Sequence, residues 1–397
     1  MYLLNKPNKI PHLIFEKLKF TIAIALIFLY AMFTRPLVFQ QILPYALRYF
    51  IELIPLFLLF YINKRNFLTN SLLIIFILIF FIINFIVNSA SFQISFLTTL
   101  KFIYFIILFS IFSENYKLRE YTCNLFVNFW LLVCVLTISA CIIFWFDNSF
   151  FKRLDLQIGD NGYEYSNNFI LGNIRLIAAE NFILSKPSWY FYEYGVLSFF
   201  FAINYIGSDS LISNKKSNKR FKSLNLIAGL CTLSITFYIF LFVYFAINFF
   251  RRRGYRTIFF LIYSIIFIFF LSHFELIHYF FKNSTSIDDR LLRFDIFMDV
   301  IKNNPIKTLL IGSGPELQGL HYDRGISSGF LNSIAERGFI FSLLSFSYLA
   351  YLLRHKFEVF LTFLYFNLSF DFLLFPISSV MLTLFILGDK ININSVE

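Results

Sequence analysis

The chain is a succession of apolar runs, most close to twenty residues long, separated by short stretches that hold the lysines and arginines. Runs begin near Phe20, Ile42, Ser71, Ser95, Leu125, Ser188, Leu226, Thr257 and Phe330, and a last one extends from Phe357 to Leu387. A helix rises 1.5 Å per residue, so about twenty apolar residues cross the ~30 Å hydrocarbon core of a bilayer. Hydrophobic residues fill 58% of the 397 positions and charged residues only 14%. A soluble interior is too small to hide that much apolar surface, whereas a bilayer accepts it. The expected fold is therefore all-α, a polytopic transmembrane helical bundle of about 10–12 spans that makes residues 1–397 a single integral membrane domain. In the last run, Asp371 and Pro376 predict a break that leaves two short helices.

Lysine and arginine set the orientation, because they concentrate on the cytoplasmic side. Lys6, Lys9, Lys17 and Lys19 precede the first run and place the N-terminus in the cytoplasm. Thr34-Arg35-Pro36 is not the small-residue site of a cleaved leader, so the first run reads as a retained helix. Lys64-Arg65, Lys117 with Arg119, and the group Lys215, Lys216, Lys219, Arg220 and Lys222 mark further cytoplasmic loops. Two long polar segments are then external, 147–187 and 282–329. Arg251-Arg252-Arg253 conflicts with a single crossing of Leu226 to Phe250. A break near Thr232-Ser234-Thr236, with the chain returning, would put every basic cluster inside, although ~25 residues scarcely suffice for two passes.

Several function classes drop out. A net charge of +11 would raise nucleic acid as a partner for a soluble protein, but these cations lie in short inter-helix loops, with no basic stripe among stacking aromatics. Cys123, Cys134, Cys141 and Cys231 fall in or beside apolar runs and offer neither a disulfide framework nor zinc spacing, which leaves core packing. The five histidines are scattered, so no metal site and no cofactor is expected. Ser313 lacks the Gly-x-Ser-x-Gly setting of a nucleophile. No internal repeat points to a carrier built from two related halves.

Chemistry must then reside in the external segments. From Ser286 to Lys302, apolar residues at 291, 294, 297, 298 and 301 follow a helical period, with Asn303-Asn304-Pro305 as its end. This predicts an amphipathic helix on the outer membrane surface. Arg290 and Arg293, at i and i+3, point the same way and suit a diphosphate; Asp289 paired with Arg293 at i, i+4 is the plainer alternative. Gly312-Ser313-Gly314 can bring backbone amides to an anion, although Pro315 removes a donor. His321 and Arg324 follow. Ser328, Asn332 and Glu336 then lie one turn apart at the start of a membrane helix, a polar stripe that must face protein or water. The first external segment supplies Arg175, Lys186 and, at a helix mouth, Glu193. Trp189, Tyr190, Tyr192 and Tyr194 read as an interfacial aromatic belt, which sugar stacking would resemble. Arg48 and Glu52, at i and i+4 inside the second run, can neutralise each other or serve function.

These elements in this order resemble the O-antigen polymerase and O-antigen ligase family of polytopic membrane proteins. The resemblance covers about residues 286–345: Asp289-Arg290 opening an amphipathic helix, Asn304-Pro305, Gly312-Ser313-Gly314, Ser328-Gly329-Phe330-Leu331, and Glu336-Arg337-Gly338. Ser185-Lys186-Pro187-Ser188-Trp189 resembles the family's Glu-Pro-Ser entry into a helix, with Lys186 where the acid is usual. The ligase branch has His-Asn where Ser328-Gly329 stands here, which favours a polymerase of the Wzy type. The resemblance implies a metal-independent glycosyltransferase acting on oligosaccharide repeat units carried by undecaprenyl diphosphate. Arg290, Glu193, His321 and Glu336 would be catalytic, while Arg175, Arg293, Arg324 and Lys186 would bind diphosphate and glycan. A chain-length regulator and a flippase would be companion proteins. An O-antigen ligase and a flippase of lipid-linked oligosaccharide are the competing readings.

Overall fold

The computed structural model describes residues 9–29, 71–88, 92–158, 161–168, 170–179, 182–189, 194–253, 297–303, 305–313, 329–367 and 376–388, with 54, 58 and 295. The described chain is mostly helical. In order come α1 (Lys9–Ile24, continued as a π turn over Ala25–Leu29), α2 (Ser71–Asn88), α3 (Phe92–Glu114) and α4 (Tyr116–Phe146). Strands β1 (Lys152–Ile158), β2 (Asn161–Asn168), β3 (Gly172–Ala179) and β4 (Phe182–Trp189) follow. Then come α5 (Tyr194–Leu211), α6 (Lys215–Cys231), α7 (Ile235–Arg253), α8 (Pro305–Leu310), α9 (Gly329–Arg337), α10 (Phe339–Leu352), α11 (Phe357–Asn367) and α12 (Pro376–Leu387). The runs expected near Ile42 and Thr257, and Arg48 with Glu52, lie outside the described residues.

The sheet corrects an all-α reading of the first polar segment. It is a four-stranded antiparallel meander, with each strand beside its neighbour in sequence. The physical reason is alternation: Leu154, Leu156 and Ile158 are separated by Asp155 and Gln157, and Tyr163 and Tyr165 by Glu164, the period of a strand. Because β4 runs to Trp189, the helix expected from Ser188 starts instead at Tyr194.

The chain divides into two compact units, 1–79 with 97–233 and 373–397, and 80–96 with 234–372. In the first unit α4 packs against α1, α6 and β4, and α5 packs against α6, β4 and α12. Asn115 caps α4 by accepting from the Leu118 amide at 3.3 Å. At the far end of α4 the Asp147 carboxyl accepts from Ser149, hydroxyl and amide, which holds it below the usual carboxylate range. Trp130 of α4 is fully buried and stacks on Phe200 of α5, ring centroids 5.0 Å apart. A Cβ on Gly207 would lie 2.4 Å from the buried Phe385 ring, so α5 and α12 approach closely there.

Among the described residues, one helix, α4, is long and apolar enough to cross a membrane. Its exposed side carries Leu132, Val135, Ile142, Trp145 and Phe146. Helix α2 exposes Ile75, Leu78, Ile79, Ile82, Ile83 and Ile86, an apolar stripe at helical spacing.

Two expected breaks are present. α6 ends at Cys231, Leu233 takes φ 48°, and α7 starts at Ile235, so the chain breaks beside Thr232 and Ser234. The basic residues 215–222 are not a loop, however. They form the first turns of α6, capped by Asn214 through the amides of Lys216 (2.9 Å) and Ser217 (3.3 Å). The last apolar run contains two short helices, α11 and α12, the second starting at Pro376.

α5 is buried on nearly every side, and Asn204 on it is fully buried with neither amide atom hydrogen-bonded among the described residues. Such a group costs about 1–3 kcal/mol. Asn204→Leu, of similar shape, is expected to raise the thermal unfolding midpoint of the detergent-solubilised protein. A lower midpoint would show that the amide has a partner, such as a buried water.

Candidate functional site

In the second unit, the motif segments found at separate places in the sequence meet. Residues 297–303 are helical, as the apolar period predicts, with Asp299 exposed. Their apolar side is covered by protein. Phe297 and Val300 are buried against Ile334 and Ala335 of α9, with Met298, Ile301 and Leu331 around them. After Asn303, α8 begins at Pro305, the first-turn position that suits a residue without an amide hydrogen.

The end of α8 then turns into α9. The Ile311 and Gly312 amides both donate to Lys307 O, at 2.9 and 2.8 Å, and the Ser313 amide donates to Ala335 O at 2.7 Å. Gly312 has φ 80° and Gly338 φ 87°, a region that favours glycine. A Cβ on Gly312 would sit 2.4 Å from the Glu336 carbonyl carbon, and one on Gly338 would sit 2.8 Å from Ile311 N and from Leu310 C and O. Each glycine lets backbone touch backbone, so Gly312-Ser313 and Glu336-Arg337-Gly338 form one contact.

Polar side chains are buried around this contact. Asn332, Ser333, Glu336 and Arg337 are all at most 6% exposed. Arg337 Nη1 donates to Ser333 Oγ at 3.1 Å, and Ser333 Oγ lies 2.9 Å from Ser342 Oγ on α10. Arg337 Nη2 is 3.8 Å from Glu336 Oε2, beyond hydrogen-bond length but close enough for strong attraction where water is excluded. The carboxylate is therefore held beside a cation. The expected stripe is present at Asn332 and Glu336, but Ser333, Ser342 and Arg337 complete the cluster. Arg337 was visible only as the middle of Glu336-Arg337-Gly338, and Ser333 only by its four-residue step to Arg337, which is common in any helix.

In the first unit, the Ser185-Lys186-Pro187-Ser188-Trp189 segment ends β4. Pro187 is tolerated because β4 is an edge strand. Asn173 pairs with Trp189 and Ile174 with Pro187, so Ser188 is the extra residue of a bulge, and it is fully buried. Trp189 has φ 50°, a strained value for a bulky residue. Its indole is buried, 5.7 Å from the Phe129 ring, so it does not belong to an interfacial belt. A Cβ on Gly172 would meet Trp189 Cα at 2.7 Å, which explains the glycine opposite.

Two site residues expected from the sequence become neighbours here. Arg175 of β3 lies at the register position directly opposite Lys186 of β4. Lys186 is 7% exposed and its ammonium sits 4.6 Å from the Tyr194 ring centroid. Among the described residues no three His, Cys, Asp or Glu side chains gather as a metal site would need. Arg290, Arg293, Glu193, His321 and Arg324 lie outside the described residues. No family model, curated protein or solved structure matches the chain.

Proposed function

We propose that this chain is a multi-pass protein of the bacterial inner membrane, N-terminus in the cytoplasm, that polymerises lipid-linked oligosaccharide repeat units at the outer face. The observation that carries the reading is the contact of Gly312-Ser313 with Glu336-Arg337-Gly338. Two segments that resemble separate parts of one family signature share a tightly built, buried polar cluster. The apolar stripes of α2 and α4 support the membrane setting, since a soluble protein seldom exposes so much contiguous apolar surface.

In this reading the growing glycan leaves undecaprenyl diphosphate and joins the non-reducing end of a new unit. The bond from the anomeric carbon to the diphosphate oxygen breaks, and a bond to the acceptor hydroxyl oxygen forms. Charge grows on the leaving diphosphate, and Arg290, Arg293 and Arg324 would stabilise it. Arg175 and Lys186, at facing register positions of β3 and β4, would bind diphosphate or glycan in this reading. The acceptor hydroxyl gives its proton to a base, for which Glu336, Glu193 and His321 are the candidates. No metal enters this scheme. A chain-length regulator and a flippase would act beside it.

Glu336→Gln keeps the shape of the side chain and removes its charge. Glycan extension on lipid-linked repeat units, measured in proteoliposomes per folded molecule, is expected to fall about 100-fold or more if Glu336 is the base. Glu336→Asp should retain part of it. Wild-type extension by Glu336→Gln would restrict the Glu336–Arg337 pair to holding the fold and pass the base role to Glu193 or His321.

A further inference from the structure

Helix α6 opens with a concentration of positive charge that its own sequence does nothing to offset. Lys215, Lys216, Lys219, Arg220 and Lys222 crowd its first turns, and no aspartate or glutamate occurs anywhere in Lys215–Cys231. Cations are unfavourable at that end of a helix, where the macrodipole is already positive. Lys222 has an anionic partner on α5: its ammonium donates to Asp209 Oδ2 at 2.7 Å, and Asn218 Nδ2 donates to Asp209 Oδ1 at 2.6 Å. Lys215, Lys216, Lys219 and Arg220 are exposed and make no ion pair among the described residues. The rest of the exposed face is apolar at helical spacing. Phe221, Asn225, Ala228 and Gly229 are buried, and α6 packs against α4 and α5. On the opposite face, the line that begins with Lys216 and Arg220 continues through Ser223 to Ile227 and Leu230, which are 46% and 36% exposed. One face of α6 therefore has a cationic end and an apolar end, about 10–20 Å apart at 1.5 Å per residue.

We propose that this face of α6 binds an anionic phospholipid, with the phosphate against Lys216, Lys219 and Arg220 and an acyl chain along Ile227 and Leu230. Both ends fit a single amphiphile. The guanidinium fork and the two ammonium groups suit phosphate oxygens. The apolar end suits a hydrocarbon chain that gains by leaving water. A soluble polyanion would match only the first turns and leave Ile227 and Leu230 in water, so lipid is the better occupant. Clustered cations beside a membrane helix draw acidic lipids, by about fivefold in affinity for each charge. The bound phosphate also offsets the charge crowded at the start of α6, so this lipid should stabilise the fold. The inference rests on the membrane setting proposed above and not on the glycan reaction.

The test uses the full-length protein in a nonionic detergent, titrated with phosphatidylglycerol or with phosphatidylcholine of the same acyl chains, and bound lipid is counted by native mass spectrometry. Phosphatidylglycerol is expected to be retained about tenfold or more strongly, and to raise the thermal unfolding midpoint. The combined variant Lys216→Gln, Lys219→Gln and Arg220→Gln should lose that preference, whereas Lys216→Arg with Lys219→Arg should keep it. Inorganic phosphate alone should leave the midpoint unmoved. Equal retention of the two lipids by wild type, or the same preference in the glutamine variant, would overturn the proposal. So would a midpoint raised equally by inorganic phosphate, which would mean an adventitious ion only. The wild-type comparison of the two lipids decides the matter even if the glutamine variant fails to accumulate. Protein found in the soluble fraction of lysed cells would remove the membrane setting and this inference with it, whereas membrane-bound protein without a lipid preference removes this inference alone.

Discussion

Cells producing Gly338→Val or Gly312→Val are expected to contain little folded protein. Both positions combine two costs. At φ 87° and φ 80° a residue with a Cβ pays about 1–2 kcal/mol, and a β-branched one fits worst. The added carbon also lands on backbone, 2.8 Å from Leu310 C and O at Gly338 and 2.4 Å from Glu336 C at Gly312. Backbone cannot step aside as a flexible side chain can, so about 1–3 kcal/mol of overpacking is added. Together these approach a third or more of the ~5–15 kcal/mol that holds a typical domain. Immunoblots of the membrane fraction, with thermal unfolding of what can be solubilised, check this. Wild-type amounts with an unchanged midpoint would mean that the two segments do not touch.

Arg290→Ala is expected to leave the amount of protein unchanged and slow glycan transfer about 100- to 1000-fold, the usual loss when one preorganised charge is removed from a developing anion. Single-turnover transfer in proteoliposomes, with the lipid-linked repeat unit as both donor and acceptor, measures it. Arg290→Lys should recover only part of the rate, because an ammonium lacks the planar fork that grips two phosphate oxygens. A wild-type rate for Arg290→Ala would remove this residue from the site. In contrast with the glycine variants, its effect should appear in rate and not in abundance.

Much of the helical layout was legible because apolar length and helix breakers act locally. Pro376 cannot continue a preceding helix, and α12 begins on it. The break at Thr232–Ser234 was visible as a polar interruption, whereas the exact partner of that break, an unusual φ at Leu233, was not. The sheet was missed although its signal was present. Strict alternation from Arg153 to Ile158 is a strand pattern, but a short strand has no meaning without the partners it pairs with, and those pairings are not local. The amphipathic period at 297–301 was read correctly, yet its apolar side faces Ile334 and Ala335. Periodicity reports that a face is apolar and cannot tell protein from lipid as its cover.

At the candidate site, order and spacing singled out Gly312, Glu336 and Gly338 before any fold was known. What they could not convey was the backbone contact that unites them, since it depends on two left-handed residues about twenty-five positions apart. Lys186 was marked by its place in a motif. Arg175 was a candidate too, but its place opposite Lys186 emerged only with the pairing of β3 and β4, a long-range property that composition does not encode.

The most direct measurement is a gel of surface polysaccharide from cells deleted for this protein, with and without the wild-type gene restored. The account predicts lipid A-core capped by a single repeat unit in the deletion, and a full ladder when the gene returns. Uncapped core with long glycan left on its carrier lipid would contradict it in favour of a ligase, and an unchanged ladder would remove the O-antigen polymerase reading.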